Sequence, residues 1–288
     1  MAEQLRFLEM AGIRIRVESD GGLSEDPGIL ADYLAEAEKW DYVLRAVQRE
    51  AMPEPEGAEV YSSAALRVFR GETGQMRFHG EVRDRPENGY ICAIHQDRQI
   101  KAVYRRARLP QGVTAKLLLQ AMDLPHILTN HGGFLLHASF IEYRGRAILF
   151  TAPSETGKST QAQLWCDHAG AALVNGDRAA VRIMDGQVLA CGTPYSGSSP
   201  VRRNVMLPLR AIVLLSQAPV NQITRLRGLR AFRAVLEGCT VNVWDRSDVE
   251  LATRTVTEVI GQVPVYHLAC TPDVRAVELL KQTMEVEK

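Results

Sequence analysis

The chain has 288 residues, 46% of them hydrophobic and 24% charged, the balance of a globular protein long enough for one large core or two. Lys and Arg number 34 and Asp and Glu number 34, which excludes a chain-wide field of the kind that gathers nucleic acid or anionic lipid. No apolar run approaches the length of a bilayer span, so no membrane partner is expected. The opening Met1-Ala2-Glu3-Gln4-Leu5-Arg6 lacks the apolar block of a secretion signal. Cys92, Cys166, Cys191, Cys239 and Cys270 are scattered, without a C-x-x-C pair, and read as reduced thiols of a cytoplasmic protein.

The first 111 residues read as a smaller β-rich domain, suited to substrate or peptide recognition. Ile13, Ile15 and Val17 alternate with Arg14, Arg16 and Glu18, the period of a half-buried strand. Ile29 to Trp40 has helical apolar spacing, with Asp26 as its N-cap and Pro27 in its first turn. Tyr42–Val47, Leu66–Phe69, Met76–Phe78, Tyr90–His95 and Ile100–Tyr104 read as strands, with hairpin turns at 71–74 and 96–98. His79 and His95, in strand-like contexts, read as structural.

Pro110-Gln111-Gly112 marks the boundary, and 112–288 reads as a second domain. Val113–Met122 is helical in pattern, and a short piece runs from Pro125 to Asn130. Phe134–Tyr143 and Arg146–Thr151 read as strands joined by a tight turn at Arg144-Gly145. A helix from Ser159 to His168 follows, then strands at 171–174, 180–184, 188–190, 209–215 and 265–268. Further helices are predicted over 229–236, 247–260 and 271–284.

The chemistry gathers at Ala152-Pro153-Ser154-Glu155-Thr156-Gly157-Lys158-Ser159-Thr160. An apolar strand leads into this small-residue turn and a helix leaves it, which turns backbone N–H groups and a helix N-terminus toward one spot, a socket for phosphate oxygens. Lys158 would reach the outer phosphates and the Ser159 hydroxyl would hold Mg²⁺. Ala152 and Glu155 depart from the full glycine-rich pattern. A carboxylate within about 5 Å of a phosphate costs on the order of 1 kcal/mol even when solvated, so the Glu155 side chain is expected to point outward. Asp177 closes the next strand, where a carboxylate can meet the cation. His137 lies on the strand that pairs with the one feeding the loop. Arg202 and Arg203 are candidates to neutralise phosphate, and Arg225, Arg227, Arg230 and Arg233 form a basic face near a predicted helix.

The order Leu136-His137-Ala138, Gly157-Lys158-Ser159-Thr160 and Leu173-Val174-Asn175-Gly176-Asp177 resembles the catalytic domain of the HPr kinase/phosphorylase family, from about Leu117 to Lys288. That family shares its nucleotide-binding core with ATP-dependent phosphoenolpyruvate carboxykinase. The resemblance implies an α/β (α+β) fold with a P-loop domain of mixed sheet behind the β-rich first domain. It also implies ATP and Mg²⁺ as cofactors, with His137, Lys158 and Asp177 as catalytic residues, to which Arg203 is added from its place after the small-residue loop. Pro153, Ser154, Glu155, Thr156, Gly157, Lys158, Ser159 and Thr160 would hold the nucleotide, with Ser159 and Asp177 at the metal. Where the family has an aspartate pair, this chain has Gly176-Asp177. The loop Gly192-Thr193-Pro194-Tyr195-Ser196-Gly197-Ser198-Ser199 resembles the substrate-side loop of divergent members that phosphorylate a serine or threonine hydroxyl of a peptide or small molecule. The expected activity is therefore a kinase of that kind, and relatives assemble into homo-oligomers. A nucleotide sensor or scaffold without turnover is the alternative from another class, and a carboxykinase-like enzyme is a third.

Overall fold

A computed structural model describes residues 4–286 except 21–22, 25–27, 110–111 and 198. It has α and β elements in two mixed sheets, and its contacts divide it into units at 1–124 and 125–288.

The first unit contains β1 (Gln4–Met10), β2 (Ile13–Ser19), β3 (Tyr42–Arg49), β4 (Ala58–Ser62), β5 (Leu66–Arg70), β6 (Gln75–His79), β7 (Ile91–Gln96), β8 (Gln99–Arg105) and helix α1 (Ala115–Met122). They form one sheet in the order β1-β2-β3-β8-β7-β6-β5-β4. The pairs β2–β3 and β3–β8 are parallel and the rest antiparallel. Ile13, Ile15 and Val17 are buried, as their alternation predicts.

Two expectations shift here. The helix expected over 29–40 is only a 3-10 segment at Gly28–Tyr33, because the chain beyond it pairs with β1: Ala35 N–H donates to the Phe7 carbonyl at 3.0 Å and Leu34 bridges Leu8. Its expected cap, Asp26 with Pro27, lies outside the described residues. The domain boundary expected at 110–112 falls at Leu124 instead, because α1 is tied to the first sheet. His95 Nε2–H donates to the Ala121 carbonyl at 3.0 Å, Tyr104 donates to the Leu117 carbonyl at 3.2 Å, and buried Arg77 pairs with Asp123. His95 is therefore spent on packing.

The second unit takes up all but the first residue of α2 (Leu124–Asn130) and continues through β9 (Gly133–Tyr143), β10 (Arg146–Thr151), α3 (Lys158–Ala169), β11 (Ala172–Asn175), β12 (Arg178–Met184), β13 (Gln187–Gly192) and β14 (Met206–Gln217). Then come β15 (Gln222–Leu226), α4 (Gly228–Leu236), β16 (Cys239–Thr240), α5 (Arg246–Gln262), β17 (Val265–Cys270) and α6 (Val274–Val286). The pairings β10–β9–β12–β13–β14 return to β10, because the long β14 pairs antiparallel with β13 by its first residues and parallel with β10 by its middle. β17 adds to β14 in parallel, and β15 closes the edge. One apolar layer joins the sheet to α4 and α5 through Ala231, Val235, Val256 and Val259. The other joins it to α3 and α6 through Ala162, Trp165, Val277 and Leu280. Both layers meet at β9 and β10, so the strand that carries His137 and the strand end that feeds the 152–157 loop are held from two sides. No helix among the described residues is long and apolar enough to cross a membrane.

Candidate functional site

The loop at 152–157 leaves the buried end of β10 and turns through two left-handed residues, Glu155 (φ 64°) and Gly157 (φ 112°), before α3 begins at Lys158. Gly157 is needed for that conformation alone, since a Cβ there would meet open space. It occupies the N-cap of α3, and no side chain caps the helix. The first amides of α3 thus have no intrahelical partner, and the positive end of the helix dipole faces the loop. Such an end can receive an oxyanion. Ser159 and Thr160 stand exposed in this first turn, and Pro153, Ser154 and Glu155 are exposed on the loop. The Glu155 carboxylate has no partner among the described residues and borders the adjacent cavity.

Lys158 is only 7% exposed, and its Nζ donates to the carbonyls of Ala152 (3.0 Å) and Pro153 (3.1 Å). Burial holds its pKa below the usual lysine value, and the negative charge of Asp177 partly offsets this. The ammonium spans the mouth of the loop on two neutral acceptors, which anionic oxygens can displace.

His137 sits in β9 directly opposite Arg178 of β12. Its backbone is held on both sides: its N–H donates to the Gly238 carbonyl at 2.8 Å, and its own carbonyl accepts from Thr151 Oγ1 at 3.0 Å. Burial, then the charges of Lys158 and Arg178, lower its pKa, against the opposing pull of Asp177. The imidazole is therefore neutral at pH 7. Its Nε2 lies 3.7 Å from Asp177 Oδ1.

Asp177 owes its position to Asn175, which is wholly buried. Asn175 Oδ1 accepts from the N–H groups of Asp177 (2.8 Å) and Arg178 (2.9 Å), while its Nδ2 donates to the carbonyls of Thr193 (2.9 Å) and Tyr195 (2.7 Å). One side chain thus shapes the turn and fastens the following small-residue loop over it. Gly197 lies against Asp177, where an added Cβ would be 3.3 Å from that of Asp177. Gly176 is pressed by Ser199: a Cβ there would come within 3.1 Å of the serine Cβ, so a larger side chain would need Ser199 to give way by a few tenths of an ångström.

Arg178, which the sequence reading passed over, belongs to this cluster. Its Nε is 3.5 Å from Asp177 Oδ2, its Nη1 donates to Thr240 Oγ1 at 3.0 Å, and its guanidinium lies 5.6 Å from the centre of the Tyr195 ring. Adjacency to Asp177 was the available signal. Thr240 had none, since it arrives through the two-residue pairing of β16 with β9.

Arg203 is not brought to this site. Its Nη1 pairs with Glu142 Oε2 at 3.0 Å, five residues along β9 from His137 and on the opposite face of that strand. Its backbone N–H donates to the Val174 carbonyl, fastening the end of the loop instead. Arg202 Nη1 turns back to the Pro200 carbonyl at 3.2 Å. In the basic face, Arg233 pairs with Glu237 at 2.6 Å.

Two cavities flank the 152–157 loop. The larger, about 630 Å³, is bordered by Glu155, Gly157, Thr160 and Gln161 on one side and by Gln217, Cys270 and Pro272 on the other. Gln161 Nε2 is enclosed there with no hydrogen-bond partner among the described residues, an unmet donor at the wall of a ligand-sized space. The smaller, about 380 Å³, is lined by His137, Thr151, Pro153, Arg178, Glu237 and Thr240. No group of three or more His, Cys, Asp or Glu among the described residues could hold a metal by itself. A cation at Ser159 and Asp177 would draw its other ligands from phosphate and water, the habit of Mg²⁺.

No family model matches the chain, and no curated protein matches it. Among solved structures it is similar to the "Hpr(Ser) kinase/phosphatase from Coxiella burnetii", at 12% identity over 54% of this chain and 99% of that one, with a TM-score of 0.32.

Proposed function

We propose that the chain is an ATP- and Mg²⁺-dependent kinase that phosphorylates a serine or threonine hydroxyl of a peptide or small molecule. One observation carries this reading: an uncapped helix N-terminus and a buried ammonium stand between two cavities, and one of these holds a neutral imidazole beside a carboxylate and a guanidinium. ATP with Mg²⁺ supplies the transferable phosphoryl group and the cation that offsets its charge.

The loop amides and the first turn of α3 hold the phosphates, and the larger cavity takes the nucleoside. Lys158 exchanges its two carbonyls for phosphate oxygens and stabilises the group in transfer. Ser159 Oγ and Asp177 hold the cation. The acceptor hydroxyl enters the smaller cavity, where His137 Nε2 accepts its proton while Arg178 opposes the developing negative charge. Asp177, close to both, steadies the imidazolium that forms.

The test is incubation of the purified chain with ATP, Mg²⁺ and a library of serine and threonine peptides, reading phosphopeptide and ADP. Lys158→Ala should abolish both products with the fold intact. Turnover that persists in that variant removes the loop from the mechanism. A second reading, a nucleotide sensor without turnover, is favoured by the glycine at 176, which leaves Asp177 without a second acid beside it. ATP binding without phosphopeptide or ADP would support the sensor and reject the kinase.

A further inference from the structure

At the other end of β10 from the 152–157 loop, a cavity of about 130 Å³ is lined by Arg144, Arg146, Arg210, Lys281, Met284 and Glu285. Arg146 stands five residues before Thr151, so roughly 17 Å of strand separates the two places at about 3.3 Å per residue.

Arg210 arrives there through a β-bulge. Ala147 pairs with Leu209 and Ile148 with Ala211, which leaves Arg210 as the extra residue of β14. A bulge re-aims the side chain it carries. Arg210 Nη2 donates to the Met284 carbonyl at 2.7 Å, in the last turn of α6, while its Nε is buried with no partner among the described residues. Capping of the α6 carbonyls explains Nη2 but leaves Nε unmet. It also leaves unexplained why Arg146 and Lys281, without an ion pair among the described residues, border the same space.

Among the described residues, the charges that line the cavity do not cancel. Arg144 Nη1 lies 3.5 Å from Glu285 Oε1, and that exposed pair is neutral together. Arg146, Arg210 and Lys281 remain, against about half a negative charge from the end of α6. A dianion answers that excess better than a monocarboxylate, and an enclosed arginine Nε suits a tetrahedral oxyanion. We propose that this cavity is a binding site for a phosphate-type dianion, free or carried on a small molecule, separate from the loop and independent of the kinase reading.

The test is titration of inorganic phosphate into the full chain carrying Lys158→Ala, which weakens the loop as a competitor, at about 0.1 M ionic strength. Backbone amide shifts at 144–146 and 281–285 report this cavity by position. Saturable shifts are expected there, with sulfate acting as phosphate does and acetate failing to saturate. Arg210→Met should weaken binding at least about tenfold. Lys281→Met, at a half-exposed position, should do likewise and decides the matter if Arg210→Met fails to fold. No saturable shift at these amides, binding unchanged in the variants, or acetate binding as tightly as phosphate would overturn the proposal. Tighter binding of a sugar or nucleoside monophosphate than of free phosphate would identify the carried form.

Discussion

His137 Nε2 stands 3.7 Å from Asp177 Oδ1, and Arg178 Nε stands 3.5 Å from the other oxygen of the same carboxylate. This arrangement gives a titration with a defined sign. Burial, Lys158 and Arg178 place the His137 pKa below 6.5, and Asp177 alone pulls it up. In the proposed mechanism the neutral form is the working base, so turnover should be full above that pKa and decline on an acid limb below pH 6.5. Folding follows the same sign: the native chain takes up this proton less readily than the unfolded one, so stability is lost as pH falls below 6.5. Asp177→Asn should move the His137 titration, followed by its ring-proton NMR signals without nucleotide, to lower pH. Lys158→Met should move it to higher pH. Shifts of opposite sign would separate the three groups.

Arg178 is placed to act on charge that develops in the smaller cavity. Arg178→Met should lower kcat by about 10²–10³, the usual cost of losing one aimed donor, with a smaller change in the KM for ATP. Arg178→Lys should recover little, since an ammonium cannot reach Asp177, Thr240 and the Tyr195 ring together. Steady-state kinetics with an identified acceptor would decide this. An unchanged kcat would make Arg178 a structural link only.

Glu155 holds a left-handed conformation (φ 64°) on an exposed part of the loop. Replacing it with glycine removes about 1 kcal/mol of backbone strain and a carboxylate from the border of the larger cavity. Glu155→Gly should keep or tighten ATP affinity by calorimetry and raise the melting temperature. A tenfold loss of affinity would instead give the carboxylate a positive role.

Asp248 is 1% exposed and accepts hydrogen bonds from His126 Nδ1 (2.8 and 3.0 Å), Thr129 Oγ1 (3.1 Å) and Asn242 Nδ2 (2.9 Å). Burial pushes its pKa up, but these donors outweigh it and hold the carboxylate below its usual range. The cluster ties α2 to the start of α5, whose N-cap is Asp245. Asp248→Ala removes the acceptor of the buried Asn242 amide and of the part-buried His126 ring, while Thr129 keeps its bond to the His126 carbonyl, and should cost about 1–3 kcal/mol in urea unfolding. A loss under about 1 kcal/mol would show that water replaces the carboxylate freely.

What the chain states locally was legible. The run of apolar residues into Ala152-Pro153-Ser154-Glu155-Thr156-Gly157 and the helical pattern after Lys158 are contiguous, so strand, loop and helix could be read in place. His137 could be put near the loop for the same reason, because a two-residue turn at Arg144-Gly145 leaves β9 and β10 little choice but to pair. Contacts divide the chain at Leu124 rather than at Pro110-Gln111-Gly112, a break read from local sequence, because Ala121 and Asp123 find His95 and Arg77, contacts many residues apart. Arg203 is a similar case: its position after a polar loop suggested the site, and its guanidinium pairs with Glu142, on a strand 61 residues earlier.

Sequence by itself thus determined the alternation and helical periods, the glycine that a left-handed N-cap requires, and the presence of Lys158, Ser159, His137 and Asp177 in order. Tertiary structure alone decided that Asn175 binds the loop over Asp177, that Ser199 fills the space beside Gly176, and that Thr240 and Tyr195 hold Arg178 at the carboxylate. The physical reason is range. Backbone preference and burial period act over a few neighbouring residues, while these contacts arise only after the β9, β10, β12, β13 and β14 pairings bring distant stretches within hydrogen-bonding distance.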